Sequence, residues 1–267
     1  MKFIFAAAAL MTLGAFSSAD AADLAVPPPA YRPPPPAPVN NWTGCYVGGG
    51  GGYAMWTQNS FVTVNGTPAT ASQSNGGNGW FGQGQVGCDY QFRLPLFNFW
   101  SPNVVIGAFG DYEGGSITGS NSFPGLTGTE KETSTWAVGG RAGVLVSPRF
   151  LTYFDGGFTQ ARFDGVNYNF AIAGGGPTGV SLAAQNYNGW FIGSGFEYAF
   201  DWLPISGLFL KTEFRYSQYG GNNGVSVPIS GAVAGFPVTG VALNSQKATE
   251  FVSTELVWRF NWFGGRY

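Results

Sequence analysis

The sequence contains no histidine and little charge. Without histidine among its 267 residues, the chain cannot form Ser-His-Asp or Cys-His nucleophiles or histidine-ligated metal sites. Only 10% of the residues are charged, whereas an ordinary soluble domain has roughly 25%. The 12 Lys and Arg are scattered and the formal net charge is -2, which argues against a nucleic-acid partner.

Cofactor motifs are also missing. The letters GQGQVG at 82–87 match the dinucleotide-binding pattern, but CDYQF continues a strand where a helix would have to follow. The glycine run at 48–52 lacks the Lys and Ser/Thr of a phosphate-binding loop. We therefore expect no catalytic residue, no metal site, no cofactor and no enzymatic activity.

Residues 1–21 are predicted to form a secretory signal peptide. Lys2 supplies the positive charge, residues 3–16 form the apolar stretch, and Ala19-Asp20-Ala21 is a small-x-small cleavage motif, so the mature chain is expected to start at Ala22 or Asp23. The alternative is a short membrane anchor, but the apolar run is shorter than the ~20 residues that a spanning helix needs.

A proline-dominated segment follows the predicted signal peptide. Its core is VPPPAYRPPPPAP at 26–38, which has the composition of an extended, semi-rigid spacer. A ligand for a proline-reading groove is the alternative. We expect residues 22–41 to form a periplasmic linker and residues 42–267 to form the folded domain.

The folded domain is predicted to be all-β. Strict alternation of residue types along short segments predicts strands, and no stretch shows a helical apolar stripe. Eight such segments are present: 42–54, 79–92, 103–114, 133–146, 149–163, 187–200, 206–220 and 247–262.

The connections between these segments alternate in length. Four are long (55–78, 115–132, 164–186 and 221–246), those at 147–148 and 201–205 are short, and that at 93–102 is intermediate. Long loops on one side and short turns on the other are typical of an outer-membrane barrel. The pattern therefore predicts an eight-stranded antiparallel up-and-down transmembrane β-barrel.

Charged residues share one face of the predicted strands. In LFLKTEFRYSQYG at 208–220, Lys211, Glu213 and Arg215 alternate with largely apolar and aromatic residues. Opposite charges at similar numbers suit a closed lumen, because a charge held away from water is costly unless paired. We therefore predict that the charged face points into the barrel. The candidate lumen network is Asp111, Glu113, Arg141, Asp155, Glu197, Lys211, Glu213, Arg215, Glu255 and Arg259.

Aromatic and cysteine positions add two expectations. Tryptophans near strand ends fit girdles at the two membrane interfaces: Trp42, Trp80, Trp136, Trp190, Trp258 and Trp262. If 54 pairs with 79 across the first long connection, Cys45 lies opposite Cys88. In an oxidising compartment this placement suggests a disulfide, and two separate thiols are the alternative.

Several segments together resemble a known family. NWTGCYVGGGGGY, GGNGWFGQGQVGCDYQF, VVIGAFGDYEGG, STWAVGGRAGVLVSPRFLTYFDGGF, WFIGSGFEYAF and LKTEFRYSQYG resemble the small opacity-type outer-membrane β-barrel proteins, often labelled porin family, of Gram-negative bacteria. The resemblance spans about 42–262 and implies an eight-stranded barrel in the bacterial outer membrane with loops facing outside. Such barrels usually end on an aromatic residue; here Phe260 or Trp262 fits, and FGGRY follows.

The barrel prediction leaves two functions open. The first is a structural or porin-like outer-membrane protein whose lumen is largely closed by the charged network. The second is a surface adhesin or ligand-recognition protein acting through long extracellular loops, because 221–246 is uncharged and rich in apolar residues. A soluble lipocalin-type barrel would need the reverse polarity. Expected partners are outer-membrane lipid, peptidoglycan-side contacts through the linker and an extracellular ligand, with no nucleic acid.

Overall fold

The computed structural model describes residues 41–95, 101–200, 205–221, 223–233 and 236–260. The predicted signal peptide, and the predicted linker except Asn41, lie outside these ranges. None of the described residues forms a helix able to cross a membrane. Within the described ranges the strands are β1 (Gly44–Val64), β2 (Thr67–Pro68), β3 (Gln73–Arg93), β4 (Asn103–Phe123), β5 (Leu126–Ser147), β6 (Phe150–Phe163), β7 (Val166–Phe170), β8 (Pro177–Leu182), β9 (Gln185–Ala199), β10 (Leu208–Tyr219), β11 (Val225–Val233), β12 (Phe236–Pro237) and β13 (Val241–Phe260).

Eight of these strands close into an antiparallel up-and-down barrel, which confirms the predicted fold. The ring runs β1, β3, β4, β5, β6, β9, β10, β13 and back to β1. A walk across paired residues, starting at Ala54 and passing through the other seven strands, returns to β1 at Gly44, ten positions away. Eight tilted strands enclose an interior just wide enough for side chains.

Burial alternates along the strands as the sequence predicts. In β13 every odd-numbered residue from Phe251 to Arg259 is buried, and every even-numbered residue from Val252 to Trp258 is exposed. Successive side chains point to opposite faces of a pleated strand, so one face lines the lumen and the other faces lipid.

The predicted extent of the long connections is wrong. β1 continues to Val64, β3 begins at Gln73, β4 continues to Phe123 and β5 begins at Leu126. These extensions are rich in glycine, hydroxyl and amide residues. Beyond the lipid their outer face meets water, so it needs no apolar residues, and the contrast that marks a membrane strand is lost.

The strands that extend beyond the membrane form a second ring of eight. Above the ends of β6, β9 and β10, β5 pairs with β7, β7 with β8, β8 with β11 and β11 with β13. The extensions of β1, β3 and β4 complete this ring between β13 and β5. This ring lies on the side of the long connections, which is extracellular in outer-membrane barrels. It surrounds an apolar cluster of Phe123, Val166, Tyr168, Val180, Leu182, Val227, Ile229 and Leu243.

Two tight turns, at Asn65-Gly66 and at Pro124-Gly125, form extracellular tips of this wall. Val64 pairs with Thr67, so Asn65 and Gly66 make a two-residue turn, with φ of 50° and 80°. Positive φ at both central positions gives the turn a twist that matches hairpin strands. The sequence Asn-Gly therefore lets β1 turn sharply.

Candidate functional site in the barrel interior

The interior of the barrel holds the charged residues. All ten residues of the predicted network lie on the inward face and are buried. Four further buried charged residues are Asp89, Glu130, Glu132 and Lys247. The described part of the chain thus encloses nine acidic and five basic side chains, so the interior is more acidic than the predicted network of six acids and four bases.

Alternation could have revealed two of the four missed residues. Asp89 lies on the same face of β3 as Gln85, and Lys247 lies on the face of β13 that carries the other buried charges. Glu130 and Glu132 belong to a stretch predicted as a loop. No signal within that stretch marks it as part of a closed wall.

Four charged residues form a closed ring near the periplasmic end. Arg141 Nε lies 2.9 Å from Asp89 Oδ1, and Arg141 Nη1 lies 2.6 Å from Glu197 Oε1. Arg259 Nη1 lies 2.6 Å from Asp89 Oδ2, and Arg259 Nη2 lies 2.5 Å from Glu197 Oε2. Each carboxylate therefore bridges both guanidinium groups, and the four charges cancel.

Trp42 lies directly against this ring. The prediction that it belongs to a membrane girdle is wrong, because its side chain is fully buried. Its ring centroid is 4.8 Å from that of Phe209, and the Arg259 guanidinium carbon lies 4.9 Å from it. Trp42 Nε1 donates to the carbonyl oxygen of Pro148 at 3.3 Å. Trp42, two residues before β1, thus folds inward at the periplasmic mouth.

A second network crosses the centre of the barrel. Lys211 Nζ lies 2.6 Å from Glu213 Oε2 and 3.3 Å from Glu255 Oε1. Arg215 Nη2 lies 2.7 Å from both Glu213 Oε1 and Asp111 Oδ2. Asp111 is on β4 and Arg215 is on β10, four positions apart in the ring of eight. Their ion pair therefore joins opposite walls.

Acids outnumber bases in this central network. Glu113 Oε1 lies 3.4 Å from Arg215 Nη1, whereas buried Asp155 makes no ion pair with any described Lys or Arg. Gln85 Oε1 accepts a hydrogen bond from Lys211 Nζ at 2.9 Å. The described acids do not converge as metal ligands, since no three His, Cys, Asp or Glu are suitably placed within the described ranges.

A third group lies toward the extracellular end. Lys247 Nζ lies 2.8 Å from Glu130 Oε1 and also donates to Gln58. Glu132 accepts hydrogen bonds from Thr135 at 2.8 Å and Thr249 at 3.3 Å. These contacts couple β1, β5 and β13 above the central network.

Aromatic rings pack against the buried cations. The Arg215 guanidinium carbon is 4.4 Å from the Phe191 ring centroid, and Lys247 Nζ is 4.1 Å from that of Phe163. Cations over ring faces are stabilised most strongly when desolvated.

The interior leaves little free volume beside the acids. A cavity beside Glu113 and Glu132 has a volume of about 10 Å³, which leaves room for about one water molecule.

The outward face carries the predicted disulfide pair. Cys45 and Cys88 lie opposite each other in the β1–β3 ladder and form a disulfide.

The outward face also carries tryptophans expected at a membrane interface. Four of the predicted girdle residues are exposed on this face: Trp80, Trp136, Trp190 and Trp258. Trp262 lies outside the described residues.

Comparison with known proteins gives concordant matches. A family profile described as "Outer membrane protein beta-barrel domain" matches residues 5–236. The chain is 29% identical over 220 residues to the "31 kDa outer-membrane immunogenic protein" of Brucella melitensis, covering 79% of this chain and 85% of that protein.

Solved structures of outer-membrane proteins also match. The outer membrane protein OprG of Pseudomonas aeruginosa matches with a TM-score of 0.40 and 11% identity, covering 82% of this chain and 97% of OprG. Neisserial surface protein A matches with a TM-score of 0.33 and 12% identity, covering 82% of this chain and 98% of that protein.

Proposed function

The chain belongs to the outer membrane protein beta-barrel domain family, and on this premise we propose that it is a structural barrel whose lumen is closed to solutes. It resides in the outer membrane of Gram-negative bacteria. In this proposal the charged networks hold opposite walls of the barrel together, and they neither select ions nor catalyse a reaction.

The ion pair between Arg215 and Asp111 is the observation that carries this proposal. Two side chains from opposite walls meet at 2.7 Å, with relative exposures of 1% and 0%. A solute passing along the axis would have to break this pair. A buried charge that loses its partner strongly destabilises the folded protein, so spontaneous opening of the lumen should be rare.

Apolar clusters at both ends support the same proposal. Trp42, Phe209 and Val257 belong to the cluster at the periplasmic end. Leu243, Tyr168 and Val227 belong to the cluster in the extracellular ring. Dispersion and burial of these side chains add to the barrier that the ion pairs provide.

Single-channel recording in a planar bilayer tests the proposal, with liposome swelling in parallel. We expect at most small, intermittent currents and no uptake of sugar-sized solutes from the refolded full-length protein. A larger bacterial porin, recorded under the same conditions, serves as the positive control. Steady large openings accompanied by sugar uptake would refute closure.

A second candidate function is recognition at the cell surface. The second ring raises an ordered wall above the membrane, and two hairpin tips end at Asn65-Gly66 and at Pro124-Gly125. The Brucella relative is named an immunogenic outer-membrane protein, which favours a surface-exposed region. Cells displaying the intact protein should bind a host-cell or matrix surface better than cells displaying a variant with both tips replaced by Gly-Ser. Equal binding would reject this candidate.

A further inference from the structure

A polar cavity lies on the outer side of the extracellular wall. Its volume is about 310 Å³, which is near the lower end of the range for small-molecule sites. It is lined by Thr127, Gly128, Thr129, Gly165, Asn167 and Asn169.

The cavity occurs where the sheet opens between β5 and its two partners. β5 pairs with β7 at Leu126 and Thr127, and pairs with β6 only from Glu132 onward. Between these points, residues 128–131 have no ladder partner on that side in the described part of the chain. Val166 and Tyr168 are buried and sit inward of Gly128, so the opening faces outward only.

The lining has the chemistry of a sugar-binding site. Thr127, Thr129, Asn167 and Asn169 are exposed and carry two hydroxyls and two primary amides. Hydroxyls and amides both donate and accept hydrogen bonds, as sugar hydroxyls do. None of the six lining residues is charged, so the cavity itself suits neutral sugar groups.

Two cations lie on the membrane side of the cavity. Lys131 on β5 points outward between buried Glu130 and Glu132, and Arg162 on β6 is exposed. Neither forms an ion pair with a carboxylate of the described residues. The neighbouring acid is Asp164, whose backbone nitrogen donates to the Lys131 carbonyl at 2.8 Å. One acid against two bases leaves a positive edge that suits phosphate.

Aromatic and apolar residues continue the same face toward the membrane. Trp136 on β5 and Phe158 on β6 pack with ring centroids 5.5 Å apart. Trp136 Nε1 donates to Gln160 Oε1 at 3.1 Å. Phe154, four residues before Phe158 on β6 and on the same outward face, is 71% exposed. From the membrane outward, this face therefore carries first apolar, then aromatic, then cationic side chains, and finally side chains with hydroxyl and amide groups.

We infer that the outward face of β5, β6 and β7 binds an outer-leaflet glycolipid whose headgroup joins phosphate to sugars. Its acyl chains would lie along Phe154 and Phe158, and its phosphate would meet Lys131 and Arg162. Its sugars would enter the cavity beside Thr129 and Asn167. The order of chemistry along the wall matches the order of groups in such a lipid. This inference rests on the outer-membrane location alone, so a conducting barrel would leave it standing.

Titration of the folded full-length protein in mixed micelles tests the inference. The probe is rough lipopolysaccharide, an acylated phosphorylated diglucosamine with core sugars. The comparison lipids are the same lipopolysaccharide with its phosphates removed, and phosphatidylglycerol, which is anionic but lacks sugar. We expect lipopolysaccharide to bind most tightly and both comparison lipids to bind at least about tenfold more weakly. Equal binding of phosphatidylglycerol would overturn the inference.

Substitutions separate the phosphate contact from the sugar contact. The double variant Lys131→Ala/Arg162→Ala should bind lipopolysaccharide about tenfold to thirtyfold more weakly and should lose its response to phosphate removal. The double variant Asn167→Ala/Asn169→Ala should bind several times more weakly while keeping that response. Unchanged affinity in either variant would refute the part of the site that it tests.

Matched controls come from other parts of the wall. Arg93→Ala removes an exposed cation at the periplasmic rim, where outer-leaflet lipid cannot reach. Thr57→Ala removes an exposed hydroxyl on β1, away from β5 and β7. Both controls should bind like the parent, and a loss of binding in them equal to that of the site variants would overturn the inference. Heat-dependent gel migration verifies that every variant is folded.

Discussion

Arg215 Nη2 and Asp111 Oδ2 lie 2.7 Å apart, although 104 residues separate the two in the chain. The ring order places their strands on opposite walls. The same guanidinium group lies 2.7 Å from Glu213 Oε1 and 3.4 Å from Glu113 Oε1. One cation therefore holds three carboxylates, and the central network depends on it.

Arg215→Met should destabilise the barrel and open its lumen. Methionine retains part of the volume but leaves Asp111, Glu113 and Glu213 without their shared cation, and breaking such a buried pair costs about 3–5 kcal/mol. We expect a lower unfolding midpoint in urea and a larger single-channel current than in the parent. Arg93→Met, at the exposed periplasmic rim, is the control. An Arg215→Met variant with the urea midpoint and the single-channel current of the parent would show that Arg215 does not hold the lumen closed.

Leu256→Arg should be costly because of depth in the membrane. Leu256 is 53% exposed on the lipid-facing side of β13, and Arg at the bilayer midplane of such barrels costs ~2–4 kcal/mol. Glu250→Arg places the same residue on the same face of the same strand, six positions nearer the extracellular interface. There we expect a cost of ~0–1 kcal/mol. Equal urea midpoints for the two variants would show that Leu256 does not face lipid.

The disulfide should be present but dispensable for folding. Cys45 and Cys88 should resist thiol labelling in unreduced, denatured protein, and quantitative labelling of both would exclude the bond. In the double variant Cys45→Ser/Cys88→Ser, the β1–β3 ladder from Gly44 to Ser60 remains. We expect this variant to fold, with a loss of at most ~2–4 kcal/mol, the usual effect of releasing a cross-linked unfolded chain.

Two glycines in neighbouring strands should respond differently to alanine. A Cβ at Gly50 would point inward and meet the backbone oxygen of Thr254 and, at 2.6 Å, the Glu255 Cα. A Cβ at Gly84 would have no atom within 4 Å. Gly50→Ala should therefore cost about 1–3 kcal/mol through overpacking, and Gly84→Ala should leave the urea midpoint near that of the parent. The reverse order would show that the β1–β13 register differs from that described.

The sequence by itself determined the class of fold and the direction of most side chains. Alternation is a property of each strand alone, because successive side chains of a pleated backbone point to opposite faces. That is why Glu255 and Arg259 could be assigned inward and Leu256 outward without knowing any partner strand. The position of Cys45 opposite Cys88 is equally local, since one hairpin turn fixes the register of its two strands.

Only the tertiary structure decided which charges meet and where the strands end. Ring closure with a ten-position stagger is the sum of eight separate pairings, and no single segment encodes it. It alone brings Arg215 to Asp111 across the lumen and gathers Arg141 and Arg259 around the same two carboxylates. Trp42 turns inward because the barrel mouth can bury a ring there, a condition set by distant strands. The extensions of β1 and β5 beyond the membrane likewise depend on an apolar cluster assembled from strands far apart in the chain.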